Sequence, residues 1–226
     1  IQTPGTGTDG LDLEAIADRN IQVANSHSAA PYIAEHAVAL LFSSIKRIPQ
    51  IDRLVRNSKP TSELYSDSLQ GKTVGIAGFG HVGRKIASLL SGFDVEILYF
   101  RRQEKQAEPV GDNMKQVGLQ ELLALSDALF ICLPLTRQTL NMFGTEELNS
   151  LKPNSYLVNV GRAEIVEKAA LLEALLADRF AGLALDVWWP DEDPYTAFDN
   201  DDRVILSPHR AGSDEVGPTY LKGAVE

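Results

Sequence analysis

The sequence predicts an α/β protein built on a doubly wound, parallel β-sheet. Strand-like apolar runs alternate with helix-like segments through most of the 226 residues, the pattern that strand–helix–strand units produce. The strand-like runs are short, rich in β-branched residues and apolar without alternation, which suits a sheet covered on both faces. A glycine-rich turn joins the first of these strands to the helix after it, where such sheets receive anionic ligands.

Taken in order, residues 31–57 carry a helical pattern opened by Pro31, a favoured first-turn residue. Pro49 is expected to kink that helix or to start a second one. Residues 58–70 are polar and loop-like. There follow a strand at 73–77, a helix at 81–90, a strand at 95–100, a helix at 119–125 and a strand at 128–133. A short helix at 145–150, a strand at 156–160, a helix at 167–178 and strands at 182–187 and 204–206 complete the series. No internal repeat or low-complexity segment interrupts it.

Charge and composition exclude several functions. Acidic residues outnumber basic ones 31 to 21, for a net charge of −10. Phosphate-backbone binding depends on Lys and Arg, so a nucleic-acid partner is not expected. The single cysteine, Cys132, excludes an internal disulfide and a multi-cysteine metal site. Its place in the apolar run 128–133 marks it as a small buried hydrophobe. No apolar run approaches the roughly 18 residues of a membrane span, and no signal peptide is visible. A cytoplasmic protein without metal is the expectation.

The strongest local signal is Gly78-Phe-Gly80-His81-Val82-Gly83, placed after a strand and opening a helix. Gly78 permits the tight turn, Gly80 lets the backbone approach a pyrophosphate, and Gly83 lets helix and strand pack closely. The helix N-terminus offers unpaired N–H groups and the positive end of its dipole. Val82, Ile86, Leu89 and Leu90 are expected to share its buried face. In such sites an acidic residue at the end of the second strand binds the ribose 2′-hydroxyl. Here Arg101, 18 residues past Gly83 and followed by Arg102, stands there instead. A guanidinium pairs with a 2′-phosphate through charge-assisted bonds. NADP(H) is therefore expected in preference to NAD(H), which stays possible. His36 reads as a packed or partly exposed helix residue, and His27 as part of a polar loop.

Five ordered motifs resemble the D-isomer-specific 2-hydroxyacid dehydrogenase family, of the glyoxylate/hydroxypyruvate reductase type. They are the approach to the glycine turn from Ser68, Cys132-Leu-Pro-Leu-Thr-Arg-Gln-Thr, Leu157-Val-Asn-Val-Gly-Arg-Ala-Glu-Ile-Val, Ala184-Leu-Asp-Val and Leu206-Ser-Pro-His-Arg-Ala-Gly. The resemblance runs from about Gly5 to Gly212. It implies a Rossmann dinucleotide-binding domain over residues 26–212. Residues 1–25 would be a remnant of a second, flavodoxin-like substrate domain, and 213–226 the start of a helix returning to it. It implies that Arg162 binds the substrate carboxylate and keto oxygen. His209 would be the general acid, for which imidazole is suited by its ordinary pKa of about 6.5. Asp186 would orient the nicotinamide carboxamide. Leu133, Pro134, Thr136, Thr139, Val160, Gly161 and Gly212 would line the cofactor cleft. The carboxylate partner of His209 falls on Glu192, with Asp191 as rival, and Ala163 replaces the family's usual glycine. The helix over 32–45 resembles a dimer-forming element, so a homodimer is expected.

The resemblance implies hydride transfer between NADP(H) or NAD(H) and a small 2-oxoacid or 2-hydroxyacid such as glyoxylate or hydroxypyruvate. A non-catalytic, corepressor-like dinucleotide sensor is one alternative, although it would have no use for a proton donor. A formate-dehydrogenase-like enzyme, hinted at by Asp186-Val-Trp-Trp-Pro, is the other. Because residues 1–25 resemble only the end of a substrate domain, the chain is expected to be a fragment that binds NADPH but turns over slowly or not at all.

Overall fold

The computed structural model describes residues 1–3, 5–101, 113–189, 198 and 201–212. Its centre is a seven-stranded sheet, parallel throughout. The strands are β3 (Lys72–Ala77), β4 (Val95–Phe100), β5 (Met114–Gln116), β6 (Ala128–Ile131), β7 (Ser155–Asn159), β8 (Phe180–Leu185) and β9 (Val204–Leu206). Their spatial order is β5-β4-β3-β6-β7-β8-β9. The chain therefore winds outward from β3 in one direction, returns to β6, and winds outward in the other, as expected. Apart from this sheet, β1 (Gln2–Thr3) and β2 (Ala24–Asn25) form a parallel pair, with α1 (Leu13–Ala17) between them in sequence.

The inner strands show why the apolar runs lack alternation. Every residue of β6 and β7 is buried, because each face of the sheet carries its own core. One core contains Ile86, Ala87 and Leu90 of α4 (His81–Leu90) and Ala34, Ala37, Leu41 and Ile45 of α2 (Ala30–Ile45). The other gathers Leu122 and Leu123 of α5 (Leu119–Leu125), Leu148 of α6 (Thr145–Ser150) and Leu171 and Leu175 of α7 (Lys168–Leu176).

Pro49 starts a second helix rather than kinking the first. Arg47 adopts the left-handed conformation, φ 51°, and ends α2. Then α3 (Ile48–Arg56) opens with the proline in its first turn, where its missing N–H has no carbonyl to serve. Leu89 corrects the expected buried face of α4: it is 38% exposed, and Gly83 and Ala87 pack inward instead. The third core-side run ends at Ile131, two residues earlier than expected, so Cys132 and Leu133 lie in the loop that follows β6. The β1–β2 pair, α1 and β5 carry no periodicity that the sequence alone makes visible. They form because Asp12 caps α1 by accepting the Ala15 N–H at 2.9 Å and because β5 finds an edge to pair with on β4.

Candidate active site

The reversal of winding falls between β3 and β6, and doubly wound sheets bind ligands at the carboxyl ends of the strands flanking such a point. There the two strand ends come very close. A Cβ on Gly78 would lie 2.8 Å from the Cys132 carbonyl and 2.9 Å from the Leu133 nitrogen, and Gly78 itself has φ +104°. Only glycine satisfies both constraints. Gly83 is equally constrained, since its Cβ would lie 2.2 Å from the Gly78 oxygen. Gly80 is different. It caps α4 in extended conformation, and a Cβ there would meet nothing within 4 Å. Two of these glycines are thus needed by the fold itself, whereas Gly80 leaves open space outside the turn.

His81 begins α4 beside this space and stacks on His27, with ring centroids 4.1 Å apart and planes 17° from parallel. Burial, followed by the charge of His81, lowers the His27 pKa. Val82 is half-buried in the same first turn. Arg101 directly follows β4, and its Nη1 is enclosed without a hydrogen-bond partner among the described residues. Such an orphaned donor is costly unless a ligand oxygen reaches it. Arg102 lies outside the described residues.

The loop after β6 is closed by Thr139. Its hydroxyl donates to the Pro134 carbonyl at 2.6 Å and accepts the Thr136 N–H at 2.8 Å. Thr139 is fully buried, so it shapes the loop from within while Pro134 stands exposed at its surface and Leu133 is buried at its base. Burial pushes the Cys132 thiol up to about 12.

Arg162 projects from the turn after β7. Asn159 builds that turn: its Nδ2 donates to the Arg162 carbonyl and its Oδ1 accepts the Gly161 N–H, both at 3.0 Å. Gly161 also has no room for a side chain, with the Leu133 oxygen 2.8 Å from where a Cβ would be. Val160, half-buried, precedes it. The Arg162 guanidinium grips Asp9 in a bidentate pair, Nε to Oδ2 and Nη2 to Oδ1, each 3.0 Å. Its Nη1 donates to the Gly161 carbonyl at 2.9 Å. Three of the five guanidinium N–H groups are so committed, and two remain for a further anion.

Asp9 joins the catalytic candidates. Burial works to raise its pKa, but the hydrogen bonds and charge of Arg162 outweigh burial and hold it below the ordinary 3.8, with the nearby His209 contributing in the same direction. The charge of His209 thus reaches the Asp9–Arg162 pair through space.

His209 is exposed, in left-handed conformation at φ 54°, and its N–H donates to the Ser207 carbonyl at 3.0 Å. Asp186, at the end of β8 and 2% exposed, lies beneath this turn. It accepts the Ser207 hydroxyl, the Arg210 N–H at 2.8 Å and the Ala211 N–H at 3.0 Å. Burial raises the Asp186 pKa, yet the His36 and Ser207 side chains and the two amides hold it below 3.8. Gly212 follows, half-buried. Glu192 and Asp191, the expected partners of His209, lie outside the described residues. Asp9, Asn159, His36 and Ser207 were not singled out by sequence as site residues. The "GxGxDxxD"-like stretch Gly5-Thr-Gly-Thr-Asp9 was the one available signal for Asp9. Among the described residues no group of three or more His, Cys, Asp or Glu could hold a metal ion, and no helix is long and apolar enough to cross a membrane.

Comparison with known proteins agrees with this geometry. Residues 38–211 match the model of the D-isomer specific 2-hydroxyacid dehydrogenase NAD binding domain. A glyoxylate reductase of Thermofilum pendens is 35% identical over 224 residues, covering 94% of this chain and 65% of that protein. A 2-ketogluconate reductase of Gluconobacter oxydans is 34% identical, covering 94% of this chain and 69% of that protein. The chain spans slightly less than two thirds of the length of the archaeal glyoxylate reductases from Thermofilum pendens and Pyrococcus furiosus. Among solved structures, the NAD-dependent formate dehydrogenase of Staphylococcus aureus in complex with NAD superposes with a TM-score of 0.87 at 32% identity, covering 99% of this chain and 68% of that one. The NADPH-dependent glyoxylate/hydroxypyruvate reductase of Sinorhizobium meliloti, in complex with NADP and malonate, gives 0.87 at 30% identity, covering 97% and 70%. With a parallel doubly wound sheet, a glycine turn at its switch point and a family match over residues 38–211, the chain belongs to the D-isomer specific 2-hydroxyacid dehydrogenase family.

Proposed function

We propose that the protein reduces small 2-oxoacids such as glyoxylate or hydroxypyruvate to 2-hydroxyacids, with NADP(H) preferred over NAD(H). The observation that carries this reading is the bidentate hold of Arg162, in the turn after β7, on Asp9, in a chain whose sheet also bears the glycine turn. Arg162 keeps two N–H groups for a substrate carboxylate, and His209 is placed at the surface where it can give a proton to the carbonyl oxygen. The dinucleotide supplies the hydride when bound. The residues present fit such a group: Gly80 leaves its backbone open, the first turn of α4 presents free amides, and the Arg101 Nη1 lacks an oxygen. That last feature supports a 2′-phosphate, hence NADP(H). Gly78, His81, Val82, Gly83, Leu133, Pro134, Val160, Gly161 and Gly212 would border the dinucleotide.

The domain boundaries near residues 25 and 212, a homodimer and a cytoplasmic location belong to this reading as expectations. The test is a panel of 2-oxoacids with NADPH and NADH on the full-length gene product. Oxidation of NADPH by glyoxylate or hydroxypyruvate, lost in His209→Asn, is the expected result; no turnover with any 2-oxoacid overturns the proposal. Similarity to the Staphylococcus aureus formate dehydrogenase favours formate oxidation as a second reading. Formate with NAD or NADP in the same assay separates the two.

A further inference from the structure

We propose that His36 is a positioning residue for His209, acting from α2 through Ser207 and Asp186. This inference rests on the reading of His209 as the proton donor.

The turn over residues 207–211 is tied at both ends to one carboxylate. Ser207 reaches Asp186 with its hydroxyl, and Arg210 and Ala211 reach it with their backbone N–H groups. Between these anchors stand Pro208 and His209. The left-handed conformation of His209 is unfavourable for a non-glycine residue, so the turn keeps its shape only while the surroundings impose it. Released at the Ser207 end, it can relax towards ordinary backbone angles and carry the imidazole away.

The Ser207 anchor depends on His36. The His36 Nε2 lies 2.8 Å from the Ser207 Oγ and 3.5 Å from the Asp186 Oδ1. A hydroxyl has a single proton. Since Ser207 spends that proton on Asp186, it must accept from His36, and the imidazole must carry a hydrogen on Nε2. The order of donation is therefore His36 Nε2–H to Ser207 Oγ–H to Asp186 Oδ1, in which each bond polarises the next. His36 fixes which way the serine hydroxyl points, and Asp186 then receives it together with the two amides. His36 and Ser207 are 171 residues apart in sequence, so the packing of α2 against the sheet is transmitted directly to the proton donor. The effect of His36 is on where His209 stands, not on the substrate directly.

The test uses the full-length protein with His36→Ala, His36→Gln and Ser207→Ala. Glutamine can return an N–H donor near the place of Nε2; alanine cannot. His36→Ala and Ser207→Ala are expected to lower kcat about tenfold, in line with the sensitivity of catalysis to sub-ångström misplacement. The Kd for ADP, which reads the glycine turn and not the nicotinamide end, should stay within about twofold. His36→Gln should recover most of kcat. Independently of turnover, the ring signals of His209 in a 15N-histidine spectrum should shift in both alanine variants and return in His36→Gln. Unmoved His209 signals in a folded alanine variant, or a glutamine variant as impaired as alanine, overturn the proposal. If the parent reduces no 2-oxoacid, the functional reading fails, while the His209 spectra still decide the positioning claim. Should His36→Ala not fold, Ser207→Ala carries the same comparison, because it breaks the same relay from the other side.

Discussion

Gly80→Ala separates what the fold needs from what a ligand needs. In the structure a Cβ at position 80 meets nothing within 4 Å, and the residue caps α4 at φ −86°, so alanine fits without backbone strain. Alanine caps a helix less well than glycine, a cost of about 0.5–1 kcal/mol. It also restricts the unfolded chain, a gain of about 0.4–1 kcal/mol. The two nearly cancel, and the melting temperature should move by less than about 3 °C. Gly83→Ala is the contrasting control. Its Cβ would lie 2.2 Å from the Gly78 oxygen and 3.0 Å from the Ile76 Cγ2. Overpacking of that kind costs about 1–3 kcal/mol, or roughly 2–10 °C in a domain of this size. Dinucleotide binding, followed by quenching of protein fluorescence, should weaken at least about tenfold in Gly80→Ala, equivalent to about 1.4 kcal/mol, because the new methyl occupies the approach to the backbone. Unchanged NADPH affinity in Gly80→Ala would refute the assignment of this turn to the diphosphate. A destabilisation as large as that of Gly83→Ala would refute the geometry on which the contrast depends.

Arg101→Ser should raise the Kd for NADPH about 10- to 100-fold, the worth of hydrogen bonds to a charged group, and leave that for NADH unchanged; equal losses for both cofactors would show that Arg101 does not read the 2′-position. Asp9 and Asp186 both have folded pKa values below 3.8. A lowered folded value means stability that is present above the unfolded pKa and lost as pH falls through the folded one. Urea unfolding over a pH series should therefore show stability falling below about pH 4, less steeply in Asp9→Asn. A constant difference between parent and variant across that range would dismiss the Asp9–Arg162 pair as the cause. Ser44→Ala should stabilise the protein by about 1 kcal/mol, since the buried Ser44 hydroxyl lacks a partner among the described residues; a loss of stability in denaturant titration would refute this.

How much was legible beforehand depended on the range over which each feature is determined. The helix over residues 81–90 was read with its observed bounds because the cap, the glycines and the apolar spacing all lie within it. The strand over 95–100 likewise declared itself by a continuous apolar run. Strand β5, by contrast, has only half-buried or exposed side chains and exists because β4 offers an edge. Leu89 fits the helical repeat yet points outward, because α2 and the sheet cover only part of α4. Arg162 and His209 stand out as candidates through the order and spacing of motifs, which are local. Asp9 does not, because its role lies in a pair 153 residues distant in sequence. His36 read as an ordinary helix histidine until α2 packed across the sheet and placed it against Ser207.

Sheet class, the glycine turn and the chemical types available at the strand ends are all legible in the linear chain. Those follow from hydrophobic periodicity, glycine's conformational freedom and side-chain chemistry, each of which acts over a few residues. Which donors meet which carboxylates is set by packing in three dimensions. Hydrogen bonds and ion pairs form between groups a few ångströms apart in space, and close-packed layers bring such groups together from chain positions that share no local signal.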